Sequence, residues 1–192
     1  PSIGGKDSMS GSFENIHVPP TLVSFAITGA DVHDVMTPEL KAAGHTLVEV
    51  MLPKDAFHIY DFDALKTQYD GIMKLMKDHQ VYSAYTVKDG GVIEAVYKMA
   101  FGNAIGVQFN NELSLESLVQ KDYGHMILEV ENDSIVTLPH TRIIGHTIES
   151  SDMIYRDETL SLDEAYHVFE SVLDDVYPTK EKAPTSDMIV KD

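Results

Sequence analysis

Cysteine is absent from the 192 residues, which excludes a disulfide framework and any thiolate chemistry within the chain. That absence fits a reducing compartment, and the cytoplasm is the expected location. Arginine occurs only at Arg142 and Arg156. Positive charge is scarce altogether: 14 Lys and Arg face 31 Asp and Glu, a net charge of −17. A reader of nucleic-acid backbones needs a clustered basic face, so neither nucleic acid nor an anionic membrane surface is expected as a partner. No apolar run nears the ~20 residues that cross a bilayer, and no signal-peptide pattern is seen. An acidic chain can still hold a small anion locally, through backbone N–H groups, an isolated lysine or a bound cation.

What is present is an ordinary globular composition, 43% apolar and 23% charged, in a length that buries a core. The chain opens without methionine on "PSIGGKDSMSG", which reads as a piece of something longer. Residues 1–20 are polar, glycine-rich and end in Val18-Pro19-Pro20, an extended segment. A domain over 21–177 follows. Residues 178–192 are polar with further proline and read as a linker toward a following domain.

Within 21–177, "TLVSFAIT" (21–28), "TLVEVML" (46–52), "VYSAYTV" (81–87), "IGVQF" (105–109), "HMILEV" (125–130) and "TRIIGHTI" (141–148) are apolar, β-branched runs that predict strands. "TPELKAAG" (37–44) carries a helix start at Thr37-Pro38 and a stop at Gly44. Leu65, Tyr69, Ile72, Met73 and Met76 recur every three or four residues, the apolar stripe of a helix of about four turns. "VIEAVYKMAF" predicts a buried helix closed by Gly102-Asn103. Ser161 and Glu164 begin a last helix running to Tyr177. Met73, Met76 and Met99 are expected in the core. Alternation of strands and helices predicts an α/β fold, a mixed β-sheet with helices packed on one side. The strands at 125–130 and 141–148 are expected to be antiparallel neighbours.

Two stretches carry groups suited to an anion. In Gly4-Gly5-Lys6-Asp7-Ser8-Met9-Ser10 the glycines permit close backbone approach, and Lys6, Ser8 and Ser10 can neutralise or donate to a phosphate. Asp7 can hold Mg²⁺ or orient a donor. On composition alone a flexible, solvated Gly/Ser-rich terminus is the simpler reading. Lys88-Asp89-Gly90-Gly91 closes a strand and opens a helix, where α/β proteins gather anions. A tight turn needing glycine's freedom reads equally there. The nine histidines, among them His58, His79, His140, His146 and His167, show no metal-ligand spacing. No catalytic residue is assigned.

The blocks "GGKDSMSG", "VPPTLVSFA" and "AYTVKDGGVIEAVYKMAFGN", in that order, resemble the phosphoribosylformylglycinamidine synthase family of purine biosynthesis over about residues 1–150. The resemblance implies the fold of the C-terminal domain of aminoimidazole ribonucleotide synthetase. It implies a nucleotide or phosphate contact at Gly4, Gly5, Lys6, Asp7, Ser8 and Ser10, and at Lys88, Asp89, Gly90 and Gly91. The family enzyme uses ATP and Mg²⁺ to convert formylglycinamide ribonucleotide, a small-molecule substrate, to its amidine with glutamine-derived ammonia. The partners implied are the other synthase subdomains and a glutaminase domain, in the same chain or a separate subunit. Glutaminase chemistry needs a cysteine, so this chain alone is expected to be inactive. Selenophosphate synthetase and thiamin-monophosphate kinase carry other residues at the GKDSMS block.

The sequence departs from the family at the second stretch. The family's magnesium-binding aspartate, its histidine and its nucleotide-contacting serine stand here as Thr86, Tyr85 and Lys88. Two expectations follow: Lys88 supplies charge that a metal supplies elsewhere, or the copy is a structural one whose site has lapsed.

Overall fold

The computed structural model describes residues 2–177, with side chains from residue 11 onward. The linker expected at 178–192 lies outside the described residues. The chain divides into two units between Val35 and Met36.

The first unit is an antiparallel ribbon of β1 (Ser2–Phe13) and β2 (Ile16–Ala26), followed by a short 3-10 turn at Val32–Asp34. "TLVSFAIT" thus supplies the second strand of this ribbon and is no part of the larger sheet, because all its ladder partners lie on β1. The boundary accordingly falls after Val35, where the sequence suggested Pro20. Pro19 and Pro20 sit inside β2, between the partners Thr21↔Met9 and Val18↔Gly11. There two residues of β2 face Ser10 alone. A bulge on an edge tolerates prolines, which have no N–H to give a ladder.

The second unit is built on a seven-stranded sheet in the order β4-β6-β3-β7-β5-β8-β9. Its strands are β3 (Thr46–Val50), β4 (Val81–Thr86), β5 (Gly106–Phe109), β6 (Met126–Val130), β7 (Thr141–Ile148), β8 (Asp152–Tyr155) and β9 (Glu158–Ser161). The β5–β8 pair is parallel and the other ladders are antiparallel, so the sheet is mixed as expected. β6 and β7 are not neighbours: β3 lies between them and pairs with both. Closeness in sequence favours pairing, but β3 offers both of its edges and takes the central place.

Helices α1 (Phe62–Lys77), α2 (Gly91–Phe101), α3 (Leu115–Val119) and α4 (Leu162–Ser171) cover both faces. Adjacent residues of a strand point to opposite sides. Leu47 enters the cluster of Val92, Val96, Met99, Leu118 and Leu162, whereas Val48 enters the cluster of Ile72 and Leu75. Helices on one side only was therefore too few. Complete burial of a residue such as Leu47 contributes about 1.5–3 kcal/mol, and both faces need it because β3 and β6 are apolar on each.

α1 starts at Asp61, whose carboxylate accepts from the N–H groups of Asp63 and Ala64, both at 3.0 Å. Its inward stripe is Gln68, Ile72 and Leu75, with Tyr69 and Met76 alongside. Met73 is 44% exposed, one step off that stripe. Met99 is buried as expected. α4 begins at Ser161, whose hydroxyl accepts from Asp163 N–H at 3.2 Å, and ends at Ser171. Hydrogen-bonded turns follow to Val176.

Residues 37–44 form no helix. Their N–H groups are used at long range: Leu40 donates to Met99 O at 2.9 Å, and Lys41 donates to the Glu129 carboxylate at 3.0 Å. Leu40 is fully buried, and Asn103 Nδ2 donates to its carbonyl. These partners outweigh the local start and stop signals. No described helix is long and apolar enough to cross a membrane.

Candidate functional site

The turn from β4 into α2 is held by its backbone. Val87 is buried and donates to His125 O at 2.9 Å, and Gly91 N–H reaches Lys88 O at 3.1 Å. Gly91 has φ +73°, and a Cβ there would lie 2.5 Å from Leu118 O. Glycine is needed at that position on both counts. The second glycine of the pair therefore has a structural reason whether or not an anion binds.

Side chains around the turn are arranged by charge. Asp89 Oδ1 accepts from Tyr123 Oη at 2.6 Å and from Lys121 Nζ at 3.1 Å. Those two bonds, Tyr123's first, hold the Asp89 carboxyl below its usual range. The same bond pushes the Tyr123 phenol up. Glu94 accepts from Gly90 N–H at 2.8 Å and pairs with Lys98. The Lys98 bond chiefly lowers the Glu94 carboxyl, and Glu94 in turn raises Lys98. Lys88 is exposed, with its ammonium 5.5 Å from the Tyr85 ring centre. Among the described residues it forms no ion pair.

Lys88, Asp89, Gly90 and Gly91 thus share one turn of the second unit. Gly4, Gly5, Lys6, Asp7, Ser8 and Ser10 share β1 of the first. Between the partners Lys6↔Val23 and Met9↔Thr21, Asp7 and Ser8 together face Leu22 alone, a bulge in the ribbon. Mg²⁺ takes oxygen ligands, and the donors at the second turn do not fit it. Thr86 offers a neutral hydroxyl, and Asp89 is already engaged by a cation and a phenol. Among the described residues no group of three or more His, Cys, Asp or Glu is arranged for a metal.

Sequence reasoning missed two buried acids. Glu129 is fully buried and accepts from Lys41 N–H, Ala42 N–H, His45 Nδ1 at 2.8 Å and Ser83 Oγ at 2.6 Å. Glu49 is equally enclosed, between His125 Nδ1 at 2.8 Å and Arg142 Nε at 2.6 Å. Each was visible as the one acid in an apolar strand, "TLVEV" and "MILEV". Buried charges need such partners, and these order the sheet's end and the segment leading into it.

Comparison with solved structures finds the same arrangement of a mixed sheet with helices in other proteins. Thermotoga maritima PurL complexed with FGAR superposes at a TM-score of 0.57 and 12% identity, over 69% of this chain and 29% of that one. The same protein complexed with AMPPCP gives 0.56 and 12%, over 74% and 28%. Likeness at such identities is likeness of fold. In sequence, the probable phosphoribosylformylglycinamidine synthase, chloroplastic/mitochondrial, of Arabidopsis thaliana is 28% identical over 162 residues. The match takes in 69% of this chain and 11% of that protein. No family model matches the chain. In sequence and fold, then, the chain resembles one part of a phosphoribosylformylglycinamidine synthase.

Proposed function

We propose that the chain serves as one synthase domain of a phosphoribosylformylglycinamidine synthase-type enzyme and that Lys88 contributes to a nucleotide phosphate contact. The observation that carries this reading is the charge balance at the turn. Asp89 is matched by Lys121 and Glu94 by Lys98, which leaves Lys88 as surplus positive charge in a chain of net charge −17. A lysine is a compact point charge suited to phosphate, and here it stands in for the metal that Thr86 cannot hold. On the first unit, Gly4, Gly5, Lys6, Asp7, Ser8 and Ser10 are proposed as a phosphate contact in their own right, on the family resemblance of "GGKDSMSG".

In the intact enzyme ATP would phosphorylate the amide oxygen of formylglycinamide ribonucleotide, and ammonia would displace phosphate to give the amidine. Mg²⁺ would be held by other subdomains, and a glutaminase domain would supply the ammonia. Such chemistry rests on positioning and charge neutralisation. This chain alone has no cysteine and so no glutaminase nucleophile. The cytoplasm remains the proposed compartment.

A second reading, a structural copy whose site has lapsed, is favoured by one contact. Glu94, a carboxylate of α2 itself, already occupies the Gly90 amide at the helix start. Thermal unfolding with millimolar ADP or ATP, each with Mg²⁺ or EDTA, separates the two. Ligand at ~100 Kd adds about 2.7 kcal/mol. A rise in Tm that persists in EDTA supports the phosphate contact, and no rise supports the structural copy.

A further inference from the structure

We propose that the loop Lys121–His125 is a positioning brace for the 87–91 turn, with Asp89 acting as its tether and not as a ligand contact. The proposal rests on the reading of that turn as a phosphate contact.

Each residue of the loop is engaged. Lys121 and Tyr123 both donate to Asp89 Oδ1, and His125 O accepts from Val87 N–H. The loop is itself held from behind by three side chains of the 54–69 stretch. Lys54 pairs with Asp122 at 2.8 Å, Tyr60 Oη donates to Tyr123 O, and Tyr69 Oη donates to Gly124 O at 2.9 Å. Gly124 takes φ +86°, with room for a Cβ only 2.9 Å from Leu52 Cδ1. Contacts therefore run from the segment before α1 and from α1 itself, through the loop, to the turn that precedes α2.

The chemistry assigns the roles. A bare carboxylate beside a phosphate would repel it, and Asp89 lies next to Lys88, the cation left unpaired at this turn among the described residues. With Lys121 and Tyr123 both on Oδ1, its charge is balanced and its position fixed, so the field at the turn is that of Lys88. The Lys121–Asp89 pair is exposed on both sides and by itself worth little. The shorter Tyr123 bond, on a backbone held by Tyr60 and Tyr69, is the stiffer half of the brace.

The test is a double-mutant cycle on the chain, using Tyr123→Phe, Asp89→Ala and both together. One readout is the ADP Kd in EDTA, and the other is amide hydrogen exchange at residues 88–91. Tyr123→Phe is expected to weaken ADP about fivefold, the worth of one lost hydrogen bond, and Asp89→Ala, which loses the bonds of both Tyr123 and Lys121, at least as much. The double variant should be no weaker than the worse single, and exchange at 88–91 should quicken in all three. Additive losses, or unchanged exchange in Tyr123→Phe, overturn the brace. If the unaltered chain binds no ADP, the phosphate reading fails separately. Exchange alone then decides: faster at 88–91 in Tyr123→Phe supports the brace, and no change overturns it.

Discussion

Ser83 on β4 donates to Glu129 on β6 at 2.6 Å, and neither side chain is open to solvent. The same carboxylate takes Lys41 N–H, Ala42 N–H and His45 Nδ1. One acid therefore joins an edge strand of the sheet to the segment that enters the second unit.

Removing that acid strands four donors. Glu129→Ala is expected to cost ~3–5 kcal/mol, the usual result of breaking a buried charged network. Ser83→Ala, which leaves the carboxylate its other donors, should cost about 1–2 kcal/mol. Equilibrium urea denaturation of both variants gives the comparison. Equal costs would contradict the central role of Glu129.

The glycine pair at the turn separates in the same assay. Gly91→Ala meets both the left-handed φ and the Leu118 carbonyl, with about 1–3 kcal/mol from the backbone conformation alone. Gly90 has φ −86°, and its added Cβ would meet Glu94 Cβ at 2.5 Å, so that helix's first turn must shift. Gly91→Ala should be the more destabilised of the two. The reverse order would mean that the turn is not built as described.

Glu39 gives the pH dependence its acid side. Its bond from Lys41, and then that from Thr37, lowers its carboxyl from 4.5 to about 2. A carboxyl lowered by folding adds stability that is whole above its unfolded value and fades as pH falls through the folded one. The stability difference between the unaltered chain and Glu39→Gln should therefore be constant above pH 4.5 and shrink as pH falls toward 2. Thermal unfolding across that range tests it, and a difference that grows on acidification would contradict the assignment.

The core strands were legible because burial on both faces writes them as apolar runs with a single acid in each, as in "TLVEV" and "MILEV". The segment at 37–44 was not legible. Thr37, Pro38 and Gly44 are local helix signals, but the partners that decide its path are Met99 and Glu129, far along the chain. β8 and β9, four residues each, and the five-residue α3 are too short to show a period. Met73 shows the limit of the helix stripe: its apolar character was plain, but the polar Gln68 took an inward place and bonds Met51 O at 3.3 Å.

At the candidate site, the local chemistry of Lys88-Asp89-Gly90-Gly91 was readable, including the need for glycine. The partners of Asp89 were not, since Lys121 and Tyr123 are 32 and 34 residues away. A sequence shows that an acid stands beside a lysine. Only the fold shows that the acid is already balanced.

The most direct test of the account is calorimetric titration of ADP into the unaltered chain and into Lys88→Ala, in EDTA. The account predicts binding without metal and its marked weakening in Lys88→Ala. Binding that needs Mg²⁺, or that Lys88→Ala leaves unchanged, would contradict the assignment of Lys88 as the charge that meets phosphate.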